Sequence, residues 1–413
     1  MIKDFESKLE EYAHLLVDIG MNVQPGQTPR ITASVDCAGL ARKCVRICYE
    51  RGAKDVIMDW TDGFVTRQRY LHADSSVFSE FPGYLAEKFS FMAQEKCPVL
   101  SIAGDDPALL SGVDPLRIRA QQKAASLPRK AFNELLMSNR IQWAVGAHPV
   151  LPWAHAVFPG LDPESALDML WDAVFTACRI TGDGKAVERW EAHLSSLSEK
   201  ASVLNSLDLK ELRYTNSLGT DLVIGLPEGH VWVGGSDDTD GGITFLPNIP
   251  TEEIFTAPHR LRVNGIVYSA MPLSLEGNII DNFSIRFERG KIVEVQAEKG
   301  EYLLKEAVAL DDGASYLGEV ALVPFDSPIR KSGIMFLNTL FDENASCHLA
   351  FGSSYPENLK GSGDMSKDEL IEHGLNDSIT HVDFMVGTQD LSIEGIRRDG
   401  TSVAIFRDGS FAF

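Results

Sequence analysis

The texture of the chain changes near residue 208, and this change limits the available folds more than any single motif does. Before it, the β-type runs "RITASV", "KDVIMDW", "CPVLSIAG" and "IQWAVGAHPV" are separated by helical stretches such as "GLARKCVRICYERGA" and "YLAEKFSFMAQE". Strands and helices that alternate in this way close into a parallel sheet covered by helices. At the start, Phe5, Leu9, Tyr12, Leu16 and Ile19 recur at helical spacing and put one apolar stripe on a helix expected to end at Gly20. A helix from about Pro115 to Met137, then "SALDMLWDAVFTACRIT" and "VERWEAHLSSLSEKASVLNSL", complete this half near Leu207.

After it, glycine-rich turns separate the β-type runs "TDLVIGL", "HVWVGG", "RVNGIVYSA", "FSIRFERGKIVEVQAE" and "EVALVPF". Asp399-Gly400 and Asp408-Gly409 sit between such runs and read as tight hairpin turns. A chain of 413 residues exceeds one ordinary domain of ~100–200 residues. The reading is therefore two domains. Residues 1–207 form an α/β domain, a parallel sheet with flanking helices, and residues 208–413 form a mainly β (α+β) domain expected to be the catalytic one.

Several function classes drop out. No run of about 18 apolar residues is present to cross a bilayer. The start, "MIKDFESKLEEYAHLL", is acidic where a secretory signal is basic, so it reads as a cytoplasmic protein. Six scattered cysteines form no CxxC pair and read as reduced, buried thiols. A net charge of −21 repels phosphate backbones, which argues against a nucleic-acid partner. Phosphate-binding glycine motifs and the common hydrolase signatures, GxSxG, SxxK and HExxH, are absent. The acidic "GGSDDTDGG" lacks calcium-loop spacing and reads as a solvated turn.

Candidate ligands gather in the second half. In "THVDFMVG", His381 and Asp383 are two apart in a β-type run, so a strand aims both at one face, about 6.6 Å apart along the chain. In "ENASCHLAFGSSYPENL", His348 and Tyr355 are joined across Gly352 and precede Pro356, which breaks any helix. Glu319 heads the apolar strand of "GEVALVPF", and Glu252 and Glu253 lie together in "NIPTEEIF". Each has an ordinary structural explanation: a hydrogen-bonded His–Asp pair, a core histidine, a half-buried tyrosine, carboxylates facing water. Residue types alone do not choose between Glu252 and Glu253.

Taken together, "PTEEIFTAPH", "GEVALVPFDSPI", "GIMFLNTLFDENASCHLAFGSSYP" and "GLNDSITHVDFMVGTQDLSIEGIRRDG" resemble, in order and spacing, the M29 metallo-aminopeptidases of the aminopeptidase T/S type. The resemblance covers roughly residues 215–410, with weaker agreement in layout before that. It implies a two-metal site with Glu253, Glu319, His348, His381 and Asp383 as ligands and Tyr355 in the site. Mixed nitrogen and oxygen donors suit zinc, cobalt or manganese, with magnesium as a further candidate. The implied reaction is hydrolysis of the N-terminal peptide bond of short peptides, with Glu319 as base and Tyr355 as donor to the oxyanion. A homodimer enclosing a chamber is also implied. Cys347, pointing to the opposite face of a strand from His348, needs no role, and Glu343 and Glu357 are read as supporting or incidental. The rivals are another dinuclear hydrolase, a dipeptidase or amidase, and a non-enzymatic metal- or small-molecule-binding protein.

Overall fold

In the computed structural model, residues 2–275 and 278–413 are described. The chain forms two compact units: Met1–Ala192 with Ser236–Pro250, and His193–Gly235 with Thr251–Phe413. The division falls inside the helix Ala186–Ser206.

In the first unit, the four expected β-type runs become β1 (Arg30–Ser34), β2 (Ile57–Thr61), β3 (Val99–Ala103) and β4 (Trp143–Ala147). They form one sheet in the order β2-β1-β3-β4. Every pair is parallel, with Ile31 beside both Met58 and Leu100. Helices supply the crossovers that parallel pairing requires. The longest, Pro115–Met137, starts as expected, with proline in its first turn and the Asp114 carboxylate accepting from Leu116 N–H at 2.9 Å. The first helix departs from expectation at Gly20. After Phe5–His14 the chain continues as a π-helical segment, Leu15–Met21, and turns at Asn22 with φ 44°. Gly20 serves packing instead: a Cβ there would lie 3.1 Å from the Cβ of Ala144 on β4.

The second unit is built on antiparallel strands. They are β5 (Leu209–Thr215), β6 (Asp221–Gly225), β9 (Ile254–Thr256), β10 (Val263–Tyr268), β11 (Leu273–Leu275), β12 (Asn278–Glu288) and β13 (Lys291–Lys299), followed by β14 (Leu317–Leu322), β15 (His348–Gly352), β16 (His381–Met385), β17 (Ser392–Arg397), β18 (Ser402–Arg407) and β19 (Ser410–Phe411). The short hairpin β7 (Asp237–Asp238) and β8 (Thr244–Phe245) belongs to the first unit. The larger sheet runs β11-β12-β10-β6-β5-β17-β18-β19, with β13 on β12. Asp408 and Gly409, between β18 and β19, both have positive φ, as a primed hairpin turn requires. "HVWVGG" is not a strand. It pairs through isolated bridges, His230 to Leu359 and Val233 to Phe255, and is further held by Val231 N–H donating to Asn358 O at 2.7 Å and Trp232 N–H to Asn205 Oδ1 at 2.9 Å.

The smaller sheet, β16-β15-β14-β9, positions the candidate site. Its register sets Ala350 opposite Glu319 on one side and Asp383 on the other, and His348 opposite Ala321 and Met385. Because strand side chains alternate, Ile254, Val320, Leu322, Leu349, Phe351, Val382 and Phe384 share the other face and enter the buried core. Each large apolar side chain buried there contributes ~1.5–3 kcal/mol, and a one-residue slip would turn the whole set outward. Cys347, 1% exposed, is on the core side, as its spacing from His348 predicts.

Candidate metal centre

Four separate segments deliver polar side chains to one sheet face. His348 and the pair His381/Asp383 come from neighbouring strands, and Glu319 comes from β14 just after a register shift between Leu317 and Glu319. Gly318 makes that shift feasible, since a Cβ there would lie 2.3 Å from the carbonyl oxygen of Ser353. Glu253 immediately precedes β9 and continues the face of Phe255, which pairs with Ala321. Ala321, Ala350 and Gly352 are the small residues of this face, and they leave room above it for the longer ligand-type side chains.

The distances bring five of the expected residues together. His348 Nε2 lies 3.1 Å from Glu253 Oε2 and 3.4 Å from Glu319 Oε1. His381 Nε2 lies 3.2 Å from Glu319 Oε2 and 3.2 Å from Asp383 Oδ1. Two three-membered groups result, Glu253/Glu319/His348 and Glu319/His381/Asp383, each with its ligand atoms within 4.8 Å of one another. Glu319 belongs to both and turns one oxygen to each.

The histidines are oriented from behind. His348 Nδ1 lies 3.3 Å from the carbonyl of Ser346, and His381 Nδ1 lies 2.7 Å from that of Ser353. An Nδ1–H donated to a carbonyl leaves Nε2 for the carboxylates, the arrangement typical of metal-binding imidazoles.

The field is strongly negative. Burial opposes charge on both imidazoles, but Glu253 and Glu319 at His348, and Asp383 and Glu319 at His381, outweigh it and push both well above their ordinary value. Burial would likewise raise Glu319, yet the hydrogen bonds from His348 and His381 bring it down to about 2. Glu253 is raised, chiefly by burial. Carboxylates buried this closely are costly without compensating positive charge, and divalent cations supply it. The donor set of two imidazoles and three carboxylates fits such ions.

Tyr355 joins the site through its ring, 5.0 Å from that of His381 and 5.8 Å from that of Phe255. Its loop is pinned: Ser353 N–H donates to Thr380 O at 2.8 Å, and Ser354 N–H to Asn376 O at 2.8 Å. Burial, reinforced by the surrounding carboxylates, raises the phenol well above its ordinary value and keeps it a hydrogen-bond donor.

Two further carboxylates clarify the sequence. Glu252 turns to His193, with 3.6 Å between Oε2 and Nε2, while its N–H donates to Asn344 Oδ1 at 2.7 Å. Its neighbour Glu253 is the one that meets His348. Glu343 is the residue that the sequence reading set aside as supporting or incidental. It lies in the field of Glu253, Asp383, His348 and Glu319, and burial together with the negative neighbours pushes it well above the usual carboxylate range. The only signal available was its place five residues before His348.

Residues 5–411 match the family described as thermophilic metalloprotease (M29). The chain belongs to the M29 family of metallo-aminopeptidases. It is a metal-dependent peptide hydrolase, of the class expected from its motifs. It is 46% identical over 409 residues to aminopeptidase AmpS of Bacillus subtilis, covering 99% of both chains. It is 40% identical over 407 residues to aminopeptidase T of Thermus thermophilus, covering 98% of each. Its fold matches the solved structure of wild-type AmpT from Thermus thermophilus with a TM-score of 0.91 at 39% identity, over 99% of this chain and 100% of that one. That agreement includes the expected parallel sheet with helices and the separate antiparallel region. No helix among the described residues is long and apolar enough to cross a membrane.

Proposed function

We propose that this M29 enzyme removes the N-terminal residue from short peptides at a centre for two divalent ions. Glu253 and His348 would hold one, His381 and Asp383 the other, and Glu319 both. The observation that carries this reading is the split of Glu319, one oxygen 3.4 Å from His348 Nε2 and the other 3.2 Å from His381 Nε2. Zinc, cobalt, manganese or magnesium bound there would lower the pKa of water towards neutrality and polarise a peptide carbonyl.

The protein's own groups do the rest. Tyr355, protonated and beside His381, donates a hydrogen bond to the oxyanion that develops from the scissile carbonyl. Proton transfer from water to the leaving amine needs a carboxylate, and the resemblance gives that role to Glu319. Glu319 would then serve both as the shared ligand and as the proton acceptor. Glu343, which lines the cavity with Asp383 and lies in the field of Glu319, is a second carboxylate placed to relay the proton. The reading also carries a cytoplasmic homodimer, which rests on the family resemblance.

The test uses chelated enzyme with single ions restored, on Leu-Gly-Gly and its N-acetyl derivative. The reading requires metal-restored release of leucine from the free peptide alone. Cleavage of the blocked peptide at a comparable rate would favour an amidase. Two ions bound without any cleavage would favour a binding protein.

A further inference from the structure

Beside the carboxylates a small cavity of about 50 Å³ penetrates the second unit. Glu343 and Asp383 stand at its polar end, and Leu273, Met335, Leu337 and Met385 supply apolar wall. We propose that this cavity receives the side chain of the substrate's N-terminal residue and selects aliphatic side chains of the leucine and methionine type. The proposal rests on the aminopeptidase reading and extends it to specificity.

The placement rests on the strand register: Met385 lies two residues beyond Asp383 on β16 and shares its sheet face, so the apolar wall of the cavity continues the face that carries the ligand-type residues. Leu273 and Met385 are 6% and 4% exposed and form a desolvated wall. The lining, which also includes Ser274 and Thr339, argues against a basic-residue pocket. Asp342, the remaining acid of the cavity, accepts from Phe336 N–H at 2.7 Å and Asn338 N–H at 3.0 Å, so its oxygens are engaged by backbone. Glu343 and Asp383 belong to the catalytic end. A charged side chain entering between the leucines and methionines would lose its hydration without a partner. The two methionines, unbranched and polarisable, let the small cavity adjust to a few methylene groups. Site discrimination of one methylene in an apolar pocket is about 10–200-fold.

The experiment compares kcat/KM on X-Gly-Gly with X = Ala, Leu, Phe, Lys and Glu, for zinc-loaded wild type, Met335→Ala and Met335→Trp. Met335 is half-buried at the cavity wall, so both variants are expected to fold, and thermal melts check this. Wild type should favour Leu over Lys and Glu by at least ~10-fold. Met335→Trp should lower Leu cleavage ~10-fold or more while leaving Ala cleavage within ~3-fold, and Met335→Ala should raise the Phe to Leu ratio ~10-fold. A wild-type preference for Lys or Glu, or ratios unmoved in both variants, overturns the proposal. Calorimetric binding of free L-leucine and L-lysine to the same proteins decides it independently of catalysis. If no peptide is cleaved, the aminopeptidase reading fails. The pocket still stands on tighter leucine binding that Met335→Trp abolishes, and falls if leucine and lysine bind equally.

Discussion

Replacing Glu319 by glutamine should disturb both halves of the centre at once, whereas replacing Glu253 or Asp383 should disturb one. The carboxylate is 5% exposed, and its two oxygens face His348 and His381 at 3.4 and 3.2 Å. Removing one partner from a buried charge pair costs ~3–5 kcal/mol, which at ~1.4 kcal/mol per decade is about two to three and a half decades in affinity. The expected result for Glu319→Gln is loss of both ions at chelator strengths that leave wild type loaded. Glu253→Gln and Asp383→Asn should each retain one ion. Metal content after dialysis against graded chelators, read by mass spectrometry, provides the assay. A second readout needs no metal. In the metal-free protein the His348 and His381 imidazoles should both titrate at lower pH in Glu319→Gln than in wild type, as followed by NMR. Loss of a single ion, or movement of only one imidazole, would refute the shared role of Glu319.

Other expectations follow from the same geometry. Tyr355→Phe should lower kcat about 10²–10³-fold with metal content unchanged, as expected for removal of one oxyanion donor. Glu343→Gln should lower kcat ~10²–10⁴-fold, flatten the acidic limb of the pH–rate profile and leave both ions bound, separating a proton carrier from a ligand. In the first unit, burial lowers His148, edge-on to Trp171, from 6.5 to about 4. The unfolded chain then binds the extra proton first, so this contribution is complete above about pH 6.5 and is lost as pH falls to about 4. At ~1.36 kcal/mol per decade the loss is about 3 kcal/mol, and urea titrations at pH 7 and 4.5 should show a smaller acid loss in His148→Gln than in wild type.

Much of the fold was legible because its periodicities are local. Three strands of the parallel sheet lie within the apolar runs that announced them and β2 overruns its run by Thr61 alone, while the Asp408-Gly409 turn has the positive φ values its residues favour. The histidine–aspartate pair was also legible, since strand geometry alone puts residues 381 and 383 on one face. What local pattern cannot show is which strands become neighbours. Glu253, Glu319, His348 and Asp383 converge only through the order β16-β15-β14-β9, and the choice between Glu252 and Glu253 depends on which of them continues the face of Phe255. "HVWVGG" has the composition of a strand, yet it pairs through isolated bridges and not a ladder, because a ladder depends on an available partner as well as on propensity. Glu343 sits in a short 3-10 turn, Glu343–Ala345, where no periodicity marks a charged side chain as facing the site. Likewise Ser236–Pro250 returns to the first unit by long-range pairing, with Val145 N–H donating to Pro247 O at 2.7 Å, which nothing in its acidic sequence announces.

Anomalous diffraction from crystals loaded with zinc or cobalt tests the two-ion centre most directly. The account predicts two peaks per chain, one between Glu253 and His348 and one between His381 and Asp383, with Glu319 contributing an oxygen to each. A single peak, or two peaks with Glu319 bound to one alone, would contradict it.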